Sequence, residues 1–126
     1  MASMIVAGLI AGAMAAPAFA AELSQPFVHH VYFWLKQPDQ PDDRAKLIEG
    51  LRSLTGIKTI KAYHIGTPAG TDRPVIDRSY AVSWMLAFDS KADQDAYQDD
   101  PIHLKFVADY SQLWERVIVY DSEAVE

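Results

Sequence analysis

The seven residues from Tyr97 to His103 are the strongest candidates for chemistry in this 126-residue chain. Pro101 suits the first position of a helix, where its missing N–H costs nothing, and Asp100 before it suits the N-cap. His103 would then lie in the first helical turn, where the positive end of the helix dipole disfavours a protonated ring. Tyr97 ends the preceding helix. We therefore predict that a neutral imidazole and a phenol face the same space.

Such a pair can perform acid–base chemistry without a cofactor. A neutral histidine can remove a proton from a carbon beside a carbonyl group. A tyrosine hydroxyl can donate a hydrogen bond to the enolate oxygen that forms, and a carboxylate such as Asp121 can fix the histidine tautomer. These residue types predict lyase, cyclase or isomerase chemistry. The alternative is structural: Asp121 only accepts a hydrogen bond from His103, and Tyr97 is a core aromatic with its hydroxyl at the surface.

Composition argues against several other functions. The net charge is −6, with no basic patch, which makes nucleic acid an unsuitable partner. The absence of cysteine excludes disulfides and thiolate metal sites. The histidines show no tight ligand spacing, and His29 and His30, adjacent on a strand, point to opposite faces. We expect no metal and no cofactor, and haem binding through a single histidine is the least favoured function.

Residues 1–20 differ from the rest of the chain. They contain no charged side chain and end in Pro17-Ala18-Phe19-Ala20, where Ala18 and Ala20 form a signal-peptidase site. No lysine or arginine precedes the apolar run. We predict a signal peptide at 1–20 and a single mature domain at 21–126, periplasmic or secreted, with no stable membrane insertion after processing. The alternative is a retained apolar segment on a cytoplasmic protein.

Hydrophobic periodicity predicts six elements in the order β-α-β-β-α-β. The predicted strands are 27–36, 57–65, 77–88 and 117–121, and helices follow the first and third strands at 42–54 and 91–114, the latter broken before Pro101. This order predicts an α+β ferredoxin-like fold, with an antiparallel four-stranded sheet and helices on one face. The other face would expose large aromatic side chains. We therefore predict a homodimer in which two open sheet faces close a barrel.

Four pieces of the sequence resemble the stress-responsive dimeric α/β-barrel (Dabb) family. They are His30-Val31-Tyr32, Phe88-Asp89-Ser90, the spacing of Tyr97 with Pro101 and His103, and Trp114-Glu115-Arg116-Val117-Ile118-Val119-Tyr120-Asp121. The resemblance covers about residues 27–121. It implies a ferredoxin-like fold and a dimeric α/β-barrel, and for most members of the family it implies no established biochemical role.

One branch of that family, olivetolic acid cyclase, closes a linear polyketide with a tyrosine and a histidine as acid and base. The resemblance to this branch adds His30 and Asp121 to Tyr97 and His103 as candidate catalytic residues. The residues predicted to bind a small apolar carbonyl compound are aromatic or aliphatic: Tyr32, Trp34, Trp84, Leu86, Phe106, Trp114 and Val119. The alternative is a non-catalytic, dimeric stress-related or ligand-binding domain, in which these side chains form the core.

Overall fold

The computed structural model describes residues 3, 5, 7, 8, 12 and 18–126. Most of the predicted signal peptide therefore lies outside the described residues. The elements are β1 (Phe27–Leu35), α1 (Pro41–Ser53), β2 (Ala62–Gly66), β3 (Val82–Phe88), α2 (Lys91–Asp99), α3 (Pro101–Tyr110) and β4 (Trp114–Glu123), with short 3-10 helices at Leu54–Gly56 and Ser111–Leu113. Within the described part of the chain, no helix is long and apolar enough to cross a membrane.

The four strands form one antiparallel sheet in the order β2-β3-β1-β4. This order confirms the predicted ferredoxin-like fold. The central strand β1 pairs with both β3 and β4, so Val31 lies opposite Trp84 on one side and Val119 on the other. Residues that are paired in this way project from the same face of the sheet, and the register therefore decides which side chains can meet.

Three predicted boundaries differ from the structure, two of them because local hydrogen bonds interrupt the pairing. The third strand begins at Val82 rather than residue 77, since the Ser79 amide donates to the Asp77 carboxylate in a turn. The second strand begins at Ala62 rather than residue 57, where Ile57 closes a 3-10 helix. The last strand begins at Trp114, which was predicted to end the preceding helix. Hydrophobic residues also alternate in the segments just before Val82 and just before Ala62, so periodicity alone overestimates the lengths of these two strands.

The core lies between the helices and one face of the sheet. Its members are large apolar side chains, among them Phe27, Val31, Phe33, Leu35, Leu47, Leu51, Leu54, Val82, Trp84, Leu86 and Phe88. Burying one such side chain contributes roughly 1.5–3 kcal/mol to stability. The side chains of β1 alternate strictly between buried and half-buried along the strand. We call its two sides the covered face and the bare face.

Both helix starts after β3 have the predicted caps. The Ser90 side chain accepts a hydrogen bond from the Asp93 amide at 3.1 Å, and the Asp100 carboxylate accepts one from the Ile102 amide at 2.8 Å. Pro101 occupies the first turn of α3. The Asp100 amide also donates to the Tyr97 carbonyl, which ends α2. These bonds fix the angle between α2 and α3, and hence the relative positions of Tyr97 and His103.

Helices α1 and α3 approach most closely at Gly50. A Cβ atom placed on Gly50 would lie 2.8 Å from Cδ2 of Tyr110, which is closer than real Cβ atoms come to other atoms. The ring of Tyr110 stacks on Phe106, with 5.6 Å between the centroids, and Phe106 belongs to the core. The absence of a side chain at Gly50 therefore sets how closely α3 lies against the rest of the molecule.

Candidate functional site

The structure brings Tyr97 and His103 together, as the sequence predicted. Their ring centroids are 4.6 Å apart. Tyr97 lies in α2 and is only 2% exposed, whereas His103 lies in the first turn of α3 and is half-buried. The helix junction between them therefore places the phenol at the inner side and the imidazole at the outer side of one cluster.

The Tyr97 hydroxyl is held by the core. Trp84 Nε1 donates a hydrogen bond to the hydroxyl oxygen at 3.1 Å. Burial raises the pKa of Tyr97 to about 12, against a smaller opposing effect of the hydrogen bond from Trp84. The phenol is therefore protonated at neutral pH. Because Trp84 occupies a lone pair of the oxygen and not its proton, the hydroxyl can still donate to another acceptor.

The tautomer of His103 follows from its partner. Its Nδ1 atom lies 3.1 Å from the carbonyl oxygen of Gln98. A carbonyl oxygen can only accept, so Nδ1 carries the hydrogen and Nε2 of the neutral ring has a free lone pair. Burial lowers the pKa of His103, and the charge of His29 acts in the same direction. The ring is therefore suited to accept a proton at Nε2 near neutral pH.

The predicted partner of Asp121 is wrong. Asp121 does not contact His103; its Oδ1 atom lies 2.5 Å from Nδ1 of His29. The register explains the pair, because His29 and Asp121 are directly opposite on β1 and β4. His29 is 5% exposed, and its ring packs against Tyr97 with 5.9 Å between the centroids. His29 is therefore the strand histidine that adjoins the Tyr97 and His103 pair.

His30 was predicted to approach the same pair, and the structure contradicts that placement. Strand alternation turns His30 to the bare face, where Tyr32 stacks on it with a hydroxyl-to-Nδ1 distance of 3.2 Å. One signal in the sequence could have distinguished the two histidines. His29 shares its side of β1 with Val31, Phe33 and Leu35, the apolar set that helices cover.

The seven residues predicted to bind a ligand do not line one pocket. Tyr32 and Trp34 project from the bare face. The other five lie on the opposite side of the sheet: four project from the covered face, and Phe106 belongs to α3 above it. The four on the covered face are Trp84, Leu86, Trp114 and Val119. Of these, Trp84 and Leu86 are at most 1% exposed and serve as core. The prediction merged two sides of the sheet because large aromatic residues occur on both.

An exposed apolar surface lies on the helix side of the sheet. Helix α2 packs over β1 and β3 and α1 packs over β3, while α3 reaches β4 through the contact of Phe106 with Trp114. On the same side of β4 as Asp121, Val117 is 38% exposed and Val119 45% exposed, and we call these three residues the β4 strip. On α3, one turn beyond His103, Val107 is 39% exposed. These valines are therefore exposed apolar side chains of β4 and of α3 on this side of the sheet.

The described residues contain no group of three or more histidine and carboxylate side chains that could hold a metal ion. The arrangement offers different chemistry: a proton acceptor at His103 Nε2 and a hydrogen-bond donor at the Tyr97 hydroxyl.

Solved structures with this fold come from plants and bacteria. The hydroxynitrile lyase of Passiflora edulis is 21% identical, with 81% of this chain and 95% of that chain covered and a TM-score of 0.66. A Dabb family protein of Mesorhizobium loti with a ferredoxin-like fold is 22% identical, covering 81% and 100%, with a TM-score of 0.65. A dimeric ferredoxin-like protein of unknown function from Thermobifida fusca is 20% identical, covering 82% and 96%, with a TM-score of 0.63.

A search of the curated proteins gave no significant match. The profile of the stress-responsive A/B barrel domain, Dabb, matches residues 27–124, which run from the first residue of β1 to just beyond β4. That range includes Tyr97, His103, His29 and Asp121. The sheet order, the helices on one face and this match agree with one another, and the chain belongs to the stress-responsive α/β-barrel (Dabb) family.

Proposed function

We propose that this Dabb protein binds a small apolar carbonyl compound between His103 and the β4 strip and acts on it as a cofactor-free lyase, cyclase or isomerase. The observation that carries the proposal is the bond from His103 Nδ1 to the Gln98 carbonyl, which leaves Nε2 as a proton acceptor. The exposed Val107, Val117 and Val119 supply the apolar contact surface.

The reaction begins when His103 Nε2 removes a proton from the carbon beside the carbonyl group. The C–H electrons move towards the carbonyl carbon, and the oxygen becomes an enolate that accepts a hydrogen bond from the Tyr97 hydroxyl. The imidazolium then returns its proton to carbon in an isomerase, to a leaving group in a lyase, or to a new alkoxide in an aldol cyclase. The hydroxynitrile lyase of Passiflora edulis has the same fold and supports the lyase alternative only in general, since a hydroxynitrile is cleaved after loss of its hydroxyl proton and not through an enolate. The Y-x-x-x-P-x-H spacing supports the cyclase form of olivetolic acid cyclase.

The test does not require the natural substrate. Wild-type protein in D2O is incubated with a panel of small apolar ketones and 1,3-diketones, and NMR follows exchange of the hydrogen beside the carbonyl. His103→Ala should lower the protein-dependent exchange rate by roughly 100-fold or more, and Tyr97→Phe should also lower it. His64→Ala, which removes an exposed histidine of β2, is the matched control and should exchange like wild type.

Added imidazole should restore part of the activity of His103→Ala, because it can occupy the vacated space and accept the proton. A His103→Ala protein that exchanges as fast as wild type would contradict the proposal. So would the absence of exchange with every compound in the panel.

A non-catalytic role has its own supporting observation. Tyr97 is 2% exposed and is bonded to Trp84, as a purely structural tyrosine would be. In that case His103 serves to bond the Gln98 carbonyl at the helix junction, and His103→Ala costs about 1–3 kcal/mol of unfolding free energy by leaving that group without its partner. Denaturant titration of His103→Ala separates the two functions, since a catalytic histidine can be lost with little change in stability.

We propose that two copies of the chain associate through their bare faces. Relatives of this fold from Thermobifida fusca and Bacteroides fragilis are dimeric, and the bare face of this chain exposes Tyr120 at 65%. Light scattering should give twice the mass of the chain. Tyr120→Glu should weaken the dimer because it buries a charge, while Val75→Glu in an exposed loop should not.

We also propose that residues 1–20 direct export and are removed, which would place the mature protein in the periplasm or outside the cell. The supporting feature is the exposed Ala18-Phe19-Ala20 sequence, which ends the apolar segment without helix or strand. Mass spectrometry of protein recovered from a secreting bacterial host should give a chain that begins at Ala21. A chain that keeps residues 1–20 would contradict the proposal.

A further inference from the structure

A cavity opens on the bare face, on the opposite side of the sheet from Tyr97 and His103. Its volume is about 370 Å³, and it lies where β1 ends and the connection between β2 and β3 folds back over the sheet. Its lining is mostly aromatic, with one carboxylate: Tyr32, Trp34, Ile76, Asp77, Tyr80 and Tyr120. The proposed carbonyl chemistry uses none of these residues.

The rings of this cavity stand at steep angles to one another. Tyr80 meets Tyr32 at 71° with centroids 5.0 Å apart, and Tyr120 meets the same ring at 73° and 6.1 Å. Each ring face carries partial negative charge and each edge partial positive charge. His30 stacks on one face of Tyr32, with 4.4 Å between the centroids, so the remaining ring surfaces form the aromatic wall of an open cavity. Such a wall favours a cation without hydrogen-bond donors.

The carboxylate is held at the cavity by a chain of hydrogen bonds. Trp34 Nε1 donates to the Ser79 hydroxyl oxygen at 3.0 Å, and the Ser79 amide donates to Asp77 Oδ1 at 2.8 Å. Hydrogen bonds from Ser79 lower the pKa of Asp77, so the carboxylate is charged at neutral pH. The aromatic wall and the acidic loop are therefore connected, and neither is placed independently of the other.

The protein already places a cation of its own on one of these rings. The Arg116 guanidinium carbon lies 4.6 Å from the centroid of the Trp34 ring. Arg116 and Trp34 are paired residues of β4 and β1, so both project from the bare face. Trp34 thus stabilises a positive charge here, in a chain whose net charge is −6.

We propose that the cavity bounded by Tyr32, Trp34, Tyr80, Tyr120 and Asp77 binds a small quaternary ammonium cation. The methyl groups around such a nitrogen cannot donate conventional hydrogen bonds, so aromatic faces suit them better than polar atoms. The Asp77 carboxylate neutralises the charge. The cavity lies at the end of the sheet, so a dimer formed through the bare faces would have it near the mouth of its barrel.

Titration with choline, followed by tryptophan fluorescence and by calorimetry, tests the proposal on the full chain. Choline should bind saturably, and the neutral molecule in which carbon replaces its nitrogen, a dimethylbutanol, should bind at least about tenfold more weakly because cation–π attraction is lost. Binding of the two molecules with equal affinity would show an apolar pocket only and would overturn the assignment, as would no binding of choline.

Two variants place the ligand in this cavity. Asp77→Asn should weaken choline binding by about fivefold, since the amide oxygen keeps the bond from Ser79 but the charge is lost. Asp39→Asn removes an exposed acid from another loop and should bind like wild type. Arg116→Gln should tighten binding because it removes a competing cation from Trp34. Unchanged affinity in Asp77→Asn, or weaker affinity in Arg116→Gln, would overturn the proposed site.

Discussion

The two faces of the sheet are built from the same strands but have different surroundings. His29 and His30 are neighbours in β1, and yet one is 5% exposed and bonded to Asp121 while the other stacks on Tyr32 in a half-open aromatic cluster. On the covered face, burial and the bond to Asp121 hold His29 in one position. On the bare face, aromatic rings line an open cavity. The position of a residue along a strand, odd or even, therefore decides whether the same residue type is held in a core or available to a ligand.

The largest difference in stability between the two faces is expected at Leu86 and Met85, which are adjacent residues on opposite sides of β3. Leu86 is 0% exposed, so Leu86→Ala should lower the free energy of unfolding by about 2–5 kcal/mol. Met85 is only half-buried, and Met85→Ala should cost much less in the isolated chain. Denaturant titration measures both.

The same pair also tests the proposed dimer. A second copy on the bare face would bury Met85, so the loss of unfolding free energy in Met85→Ala would then rise with protein concentration. In Leu86→Ala the loss comes from the core of each single chain and would be present at every concentration. Equal costs for the two variants at low concentration would break the distinction between the faces.

A smaller effect is expected at the histidines of β1. Asp121→Ala leaves the buried Nδ1–H of His29 without an acceptor and should cost about 1–3 kcal/mol. His30→Ala removes only a part-buried contact with Tyr32 and should cost less. Urea titration of the two variants gives the comparison. If His30→Ala were the more damaging change, the bare face would be the better packed of the two.

The smallest expected effect is a dependence of the unfolding free energy on pH through His103 of α3, above the covered face. Burial lowers the pKa of folded His103 below its ordinary value of 6.5, so the unfolded chain binds a proton first as the pH falls. The stability that depends on neutral His103 is therefore present above about pH 6.5 and is lost progressively below it. Unfolding free energies of wild type and His103→Asn should converge or cross on acidification. A constant difference across the range would show that His103 titrates alike in both states.

Much of the fold could be predicted from the sequence because it depends on periodicity and local capping. The alternation of β1 and the start of α3 at Pro101 are local properties, and both match the structure. The start of β3 at Val82 could not be predicted in the same way. The segment before it alternates like a strand, but the turn at Asp77 and Ser79 uses the hydrogen bonds that a strand would need.

The candidate site was predicted only where its residues are close in sequence. Tyr97 and His103 are six positions apart across one helix junction, and the structure brings them together. The partner of Asp121 depends instead on the register between β1 and β4, which are neighbours in the sheet but lie at opposite ends of the sequence. A shift of one residue exchanges His29 for His30, and nothing in the local sequence at Asp121 specifies which one lies opposite.

Gly50 lets the packing of α3 evolve separately from the Tyr97 and His103 pair. It lies on α1, away from the Tyr97 and His103 pair, but its lack of a side chain lets Tyr110 of α3 come close. Any larger residue there must displace the Tyr110 ring, which stacks on Phe106 of the same helix. The packing of α3, which carries His103, can therefore be changed from a position on another helix, while the Tyr97 and His103 pair stays the same. Selection on helix packing at Gly50 and selection on the Tyr97 and His103 pair can therefore act on separate positions.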